Sequence, residues 1–286
     1  MFFYIYDSFL TEKKYEKFLE KIETRLVNLG IAGKTIRLSV LKNLEEIIKD
    51  IEKKDSPTIV VIGNDQIFLK AAKALIGQRT PLGFIPVKET SNIAELLGLP
   101  FNEFCCDVIS ARLLETINLG KINPVRKLQS IPTPDNRSRE KAKSGLSNGV
   151  NQEIFVSYLE MPAQDVILNC DKMYLIKTNK LKKIRIINLG LLNFENFSKG
   201  TEAKAAQAKD DFLEILIGNP AKKFLFFKTK EKLNSLIFAK EIEITSKKRN
   251  KKAPILLDGQ KIIETPAQVS LSSEKIRLIV GRDRLI

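Results

Sequence analysis

The sequence predicts an α/β protein: a three-layer, parallel-sheet N-terminal domain followed by an all-β sandwich. Three observations carry this. The apolar, β-branched run Ile59-Val60-Val61-Ile62 ends in Gly63-Asn64-Asp65 and then feeds a helix-like pattern. A run buried on both faces and closed by such a turn reads as a central parallel strand. Strand-like and helix-like segments alternate on both sides of it, as in a doubly wound sheet. Beyond residue 151 the pattern changes to short strand-like runs with little helix between them.

FFYIY at residues 2–6 predicts the first strand, with Asp7-Ser8 as its turn. Residues 11–29 follow a helical period, with Tyr15, Phe18, Leu19, Ile22, Leu26 and Leu29 on one stripe among Lys and Glu. Thr11 is the expected cap and Gly30 the stop. A second strand is expected at 35–40 and a second helix at 43–53. The third strand spans 56–62 and its helix 67–75. A fourth strand covers 82–87, and a short helix at 93–97 is closed by Gly98. Residues 107–119 predict a further helix, with Ile109, Leu113, Leu114 and Ile117 apolar.

The texture changes at Asn123. Residues 130–151 are rich in Pro, Ser, Gly, Asn and charge, which predicts a flexible linker over 123–151 between domains at 1–122 and 152–286. Its basic residues Arg137, Arg139, Lys141 and Lys143 read as a solvated loop. Strand-like runs follow at 154–159, 165–168, 172–176, 183–188, 212–217, 235–238, 240–244, 255–257, 267–270 and 276–280, the spacing of an antiparallel sandwich or barrel. Residues 231–234 suggest the start of a short helix. Asp258-Gly259 is a strong hairpin-turn signal.

Composition removes several chemistries. With no histidine in 286 residues, Ser-His-Asp and Cys-His catalysis and His-bearing zinc sites are excluded. Acid–base work would fall to carboxylates, Lys or Tyr. Cys105, Cys106 and Cys170 make no disulfide framework and read as core thiols in a reducing compartment. No apolar run reaches the ~20 residues of a membrane span. The opening MFFYIYDSFL is too short for a signal peptide and contains Asp7. The expected location is cytoplasmic, with peripheral contact at the inner membrane surface left open. A net charge of +14 suits phosphorylated ligands, an anionic membrane surface or nucleic acid. Nucleic acid is the weakest of these. No helix-turn-helix, ribonucleoprotein motif or metal finger is visible, and five Tyr with no Trp offer few stacking surfaces.

Two stretches of the front half and two of the C-terminal half together resemble the diacylglycerol kinase catalytic family, the bacterial lipid kinases that share a fold with sphingosine kinases and NAD kinases. IVVIGNDQIF is similar to a strand ending in G-G-D-G-T. LGFIPVKETSNIAELLGLP is similar at equal length to L-G-I-I-P-x-G-T-x-N-D-F-A-x-x-L-G-I-P. AQAKDDFLEILI resembles A-x-x-D-D-G-x-L-D-V, and ILLDGQKIIETPAQVSLSSEKIRLIV resembles the closing L-D-G-E hairpin and strands. The likeness spans nearly the whole chain, the 130–151 loop apart.

The frame matches at Pro86, Ala94, Leu97, Gly98 and Pro100, whereas the chemical positions diverge. Gly63 and Asp65 stand, but Asn64, Gln66 and Ile67 replace Gly, Gly and Thr. Asn64 tolerates a left-handed turn, while Gln66 adds bulk where a phosphate would lie. Lys88 and Glu89 replace Gly-Thr, Ser91 replaces Asn and Asn92 replaces Asp. The opening N-P-x-S-G loop is reduced to Asp7-Ser8. Asp210 takes the place of the general-base aspartate, and Glu214 keeps the trailing carboxylate.

The resemblance implies a nucleotide, ATP, at Gly63, Asn64, Gln66, Lys88, Glu89, Thr90 and Asn92 in the cleft between domains. It implies Asp65 and Asp210 as catalytic carboxylates and Asp210 with Glu214 as Mg²⁺ ligands. The last strand would pack back toward the first domain. Two functions stay open. One is ATP-dependent phosphoryl transfer to a lipid hydroxyl, diacylglycerol-like, which needs positioning and charge neutralisation more than covalent chemistry. The other is a catalytically impaired relative that binds a phosphorylated ligand, a membrane surface or a protein partner. Oligomeric state is not legible, and a homodimer stays compatible.

Overall fold

The computed structural model describes residues 1–39, 43–124, 152–177, 182–189, 212–219, 223–224, 227–228, 232–248 and 251–286. Of the linker expected at 123–151, residues 125–151, with Arg137, Arg139, Lys141 and Lys143, lie outside these residues, as do Asp210 and Asp211, whereas Asn123 and Pro124 end a strand.

The front half alternates strands and helices. β1 (Phe2–Tyr6) leads through two short 3-10 turns to α1 (Glu16–Asn28), β2 (Lys34–Arg37), α2 (Leu44–Glu52), β3 (Thr58–Gly63), α3 (Asp65–Ala74), β4 (Leu82–Pro86), α4 (Asn92–Leu96) and α5 (Cys105–Ala111). The strands run parallel in the order β2-β1-β3-β4. β3 is buried along its whole length, as its unbroken apolar run requires. Helices cover both faces of the sheet. A side chain on Gly83 would strike Ile109 of α5, while the adjacent Phe84 ring meets Phe68 of α3 at 5.1 Å on the other side. Arg25 of α1 pairs with Asp107 of α5 at 2.6 Å, fastening two helices on one face.

Several boundaries differ from the sequence expectation. α1 starts at Glu16, because 3-10 turns at Ser8–Thr11 and Lys13–Tyr15 take up the segment before it. Asp7 is the cap of the first turn, accepting from Ser8 N at 2.7 Å, and the Thr11 hydroxyl instead donates to Ser8 O at 3.0 Å. The helix expected over 107–119 is α5 followed by a long strand, β5 (Leu114–Pro124). Arg112, at φ 51°, ends the helix in the left-handed region. Leu114 and Ile117 fit a helical stripe, but Ile117 and Leu119 also alternate, and backbone partners across the sheet decide the matter.

The back half is all β. β6 (Glu153–Phe155), β7 (Tyr158–Pro162), β8 (Val166–Cys170), β9 (Tyr174–Lys177), β10 (Lys183–Ile187) and β11 (Leu213–Asn219) come first. β12 (Lys223–Phe224), β13 (Phe227–Lys228), β14 (Lys232–Ala239), β15 (Glu241–Ser246), β16 (Pro254–Leu257), β17 (Lys261–Glu264) and β18 (Ala267–Ile279) follow. Residues 232–234 belong to β14, not to a helix, because β14 pairs along its length with β11. A six-stranded antiparallel sheet, β14-β11-β10-β7-β16-β17, faces an antiparallel layer built from β5, β6, β8, β9, β15 and β18. Between them lies a core that includes Phe155, Leu159, Met161, Leu168, Ile215 and Ile255. Gly120 of β5 makes room for it: a side chain there would come within 2.1 Å of the Phe155 ring.

The two halves share a sheet. The expected strands at 267–270 and 276–280 are one strand, β18, with a register shift between Leu271 and Lys275. Its first part pairs with β15 in the sandwich, and Leu278 bridges Leu82 of β4 in parallel. All three cysteines are free and buried; the Cys105 thiol donates to Phe84 O at 3.2 Å. Burial pushes the thiol of Cys106 up to about 12 and that of Cys170 up to about 11, as expected for inert core groups. Among the described residues, no helix is long and apolar enough to cross a membrane.

Candidate functional site

The carboxyl ends of β1, β3 and β4 meet at one edge of the parallel sheet, where ligands bind in open α/β folds. Gly63 closes β3 and its carbonyl accepts from Val87 N at 3.0 Å. Its reason for being glycine is space. A side chain would lie 2.7 Å from Ile67 Cγ2, 2.9 Å from Asp7 Cβ and 3.2 Å from the Asp7 carboxylate. Burial raises the pKa of Asp7, against hydrogen bonds from Ser8 and the nearby charge of Lys70.

Asn64 is extended, at φ −101°, and makes no left-handed turn. It caps α3, its side-chain oxygen accepting from Gln66 N at 2.9 Å and Ile67 N at 3.1 Å. Asp65 is the first helical residue. Its carboxylate accepts the Ser91 hydroxyl at 2.5 Å, and Ser91 Oγ in turn accepts from Ala94 N at 3.0 Å as the cap of α4. The two stretches singled out in sequence, 63–66 and 88–92, therefore meet at Asp65 and Ser91. Lys88, Glu89, Thr90 and Asn92 line the outer side of this loop and are exposed.

The sandwich closes the same edge from above. Asp258 and Gly259, at φ 47° and 71°, form the turn joining β16 and β17, as their sequence predicts. Asp258 is fully buried. It accepts from Ser157 N at 2.8 Å, Tyr158 N at 3.0 Å and Val156 N at 3.1 Å, and pairs with Lys73 Nζ at 2.9 Å. The adjacent Gln260 donates through its amide to the Gln66 side chain. Gln66, Lys70 and Lys73 recur at helical spacing on α3, a signal the sequence carries. The partners of Lys73 and Gln66, more than a hundred residues away, were not legible.

These residues do not fit a polyphosphate. Two of the α3 amides that would cradle it, Gln66 N and Ile67 N, are taken by Asn64. The Asp7 carboxylate stands beside Gly63, and the Gln66 side chain bridges to the opposite domain. Among the described residues, no three Cys, Asp or Glu gather as a metal site. Asp210 lies outside the described residues. Glu214 is buried in β11, opposite Ile187 and Phe238 in register.

Compared with known proteins, the chain matches no family model and no curated protein. It does match solved structures over nearly its full length. A diacylglycerol kinase from Bacillus anthracis str. Sterne superposes with a TM-score of 0.67 at 14% identity, covering 98% of this chain and 97% of that one. Two candidate diacylglycerol kinases from the same strain each give a TM-score of 0.63, at 14% and 15% identity, with the same coverage. The class defined is the diacylglycerol kinase-like fold, a parallel α/β unit joined to a β-sandwich. At this identity the likeness is one of fold.

Proposed function

We propose that this chain is a lipid kinase-like protein in which ATP-dependent phosphoryl transfer has been lost and the scaffold is kept for binding a phosphorylated ligand, a membrane surface or a protein partner. The observation that supports this reading is the hydrogen bond from Gln260 to Gln66 across the cleft. It puts a side chain where the related kinases have glycine, and it ties the two walls together. Isothermal titration with ATP·Mg²⁺ at millimolar concentration should give no heat that Asp65→Ala removes. Incubation of mixed lipid extract with labelled ATP should give no labelled lipid. Labelled lipid that disappears in Asp65→Ala would overturn the reading.

A second reading, transfer from ATP to a diacylglycerol-like hydroxyl, is favoured by the position of Asp65. It stands at the carboxyl end of β3, half-buried, where the loops of the two front-half motifs meet. The same labelled-ATP assay decides between the two.

A further inference from the structure

A cavity of about 630 Å³ opens at the opposite edge of the parallel sheet, before β3 and β4 begin. Its charged lining is three arginines and one glutamate: Arg79, Arg112, Arg277 and Glu52. The arginines come from separate elements. Arg79 sits in the loop between α3 and β4. Arg112 follows α5 at φ 51°, and Arg277 projects from β18, where it stands opposite Thr116. Arg277 Nη1 donates to Arg79 O at 3.1 Å, which fixes the loop against the strand. Among the described residues, no ion pair joins any of the three to a carboxylate. Burial raises the pKa of Glu52, and the neighbouring Thr80 partly offsets this.

Scattered surface arginines need no explanation, because water solvates them. Three that line one concavity beside a single glutamate leave it net positive, and an anion balances that charge. Guanidinium forks match phosphate oxygens two at a time, more closely than lysine does. The volume lies within the roughly 300–1,000 Å³ of small-molecule sites. The lining is mainly polar, with no greasy wall for an acyl chain. We propose that this cavity binds a soluble phosphorylated small molecule, its phosphate held by Arg79, Arg112 and Arg277. This goes beyond the reading of the cleft and does not depend on it, since the two sites lie at opposite edges of the sheet.

The test is calorimetric titration of the whole chain with glycerol phosphate, beside co-sedimentation with phosphatidylcholine vesicles containing phosphatidic acid. Glycerol phosphate should bind, and the exposed-site double variant Arg79→Gln/Arg112→Gln should weaken it at least about tenfold. Arg79→Lys/Arg112→Lys keeps the charge and should still lose several-fold affinity, which covers a folding failure of the first variant. Three results would overturn the proposal: no heat with glycerol phosphate up to ~10 mM, equal affinity in both double variants, or capture by vesicles with no binding of glycerol phosphate. Failure of the cleft reading shows separately, as labelled lipid that disappears in Asp65→Ala.

Discussion

The two edges of the parallel sheet are built on opposite principles. At the carboxyl edge the polar groups of the β3–α3 turn are matched from within. Asn64 satisfies the helix amides, Ser91 satisfies Asp65, Lys73 meets Asp258, and Gln260 reaches Gln66. At the amino edge three arginines face one cavity with no ion pair among the described residues. Groups that satisfy one another make a joint. Like charges lining one cavity suit the anion proposed above. On the function proposed above, the fold's customary ligand edge serves as the joint.

Four substitutions sharpen or break this comparison. The largest effect is expected from Asp258→Ala. It strands three buried amides and a lysine, and should lower unfolding free energy by about 3–5 kcal/mol in urea denaturation. A loss near zero would mean the turn is not the joint. Lys73→Ala removes only the charged partner and should lower stability by about 2 kcal/mol, since the amide hydrogen bonds to Asp258 remain.

Glu160→Gln is the control away from both edges. Desolvation pushes the Glu160 carboxyl up, but hydrogen bonds from Arg185 at 2.8 Å and Lys183 at 3.0 Å outweigh it and hold the pKa below its ordinary 4.5. A lowered folded-state pKa gives stability that is present above 4.5 and disappears as acid protonates the group. The variant should therefore lose about 1 kcal/mol at neutral pH and nothing at strongly acid pH, in denaturation curves across that range. The smallest effect is expected from Gln66→Ala, under about 1 kcal/mol, because both glutamines are exposed. Its signature should be faster hydrogen exchange confined to the 258–260 turn.

Much of the fold was legible because it rests on local pattern. β3 is an uninterrupted β-branched run, α2 begins at an Asn43 cap, and the Asp258-Gly259 turn needs positive φ at two successive positions. Legibility ended where long-range pairing overrode local pattern. Leu114 and Ile117 satisfy a helical stripe, yet they lie in a strand because β18, with partners Ile279 and Ile276, arrives from far along the chain to pair with them. The site divided in the same way. That 63–66 and 88–92 share one edge was implied by the resemblance, and the contact between them is Ser91 with Asp65. The roles of Asn64 as cap, Ser91 as latch and Lys73 as counter-ion depend on side-chain geometry that spacing does not encode.

β18 has one more consequence. It completes the layer of the sandwich and also the parallel sheet, and Gly281 N beyond it donates to Leu97 O at 2.7 Å. Each half therefore lacks an interior strand until β18 docks, so damage to this one strand should unsettle both halves together.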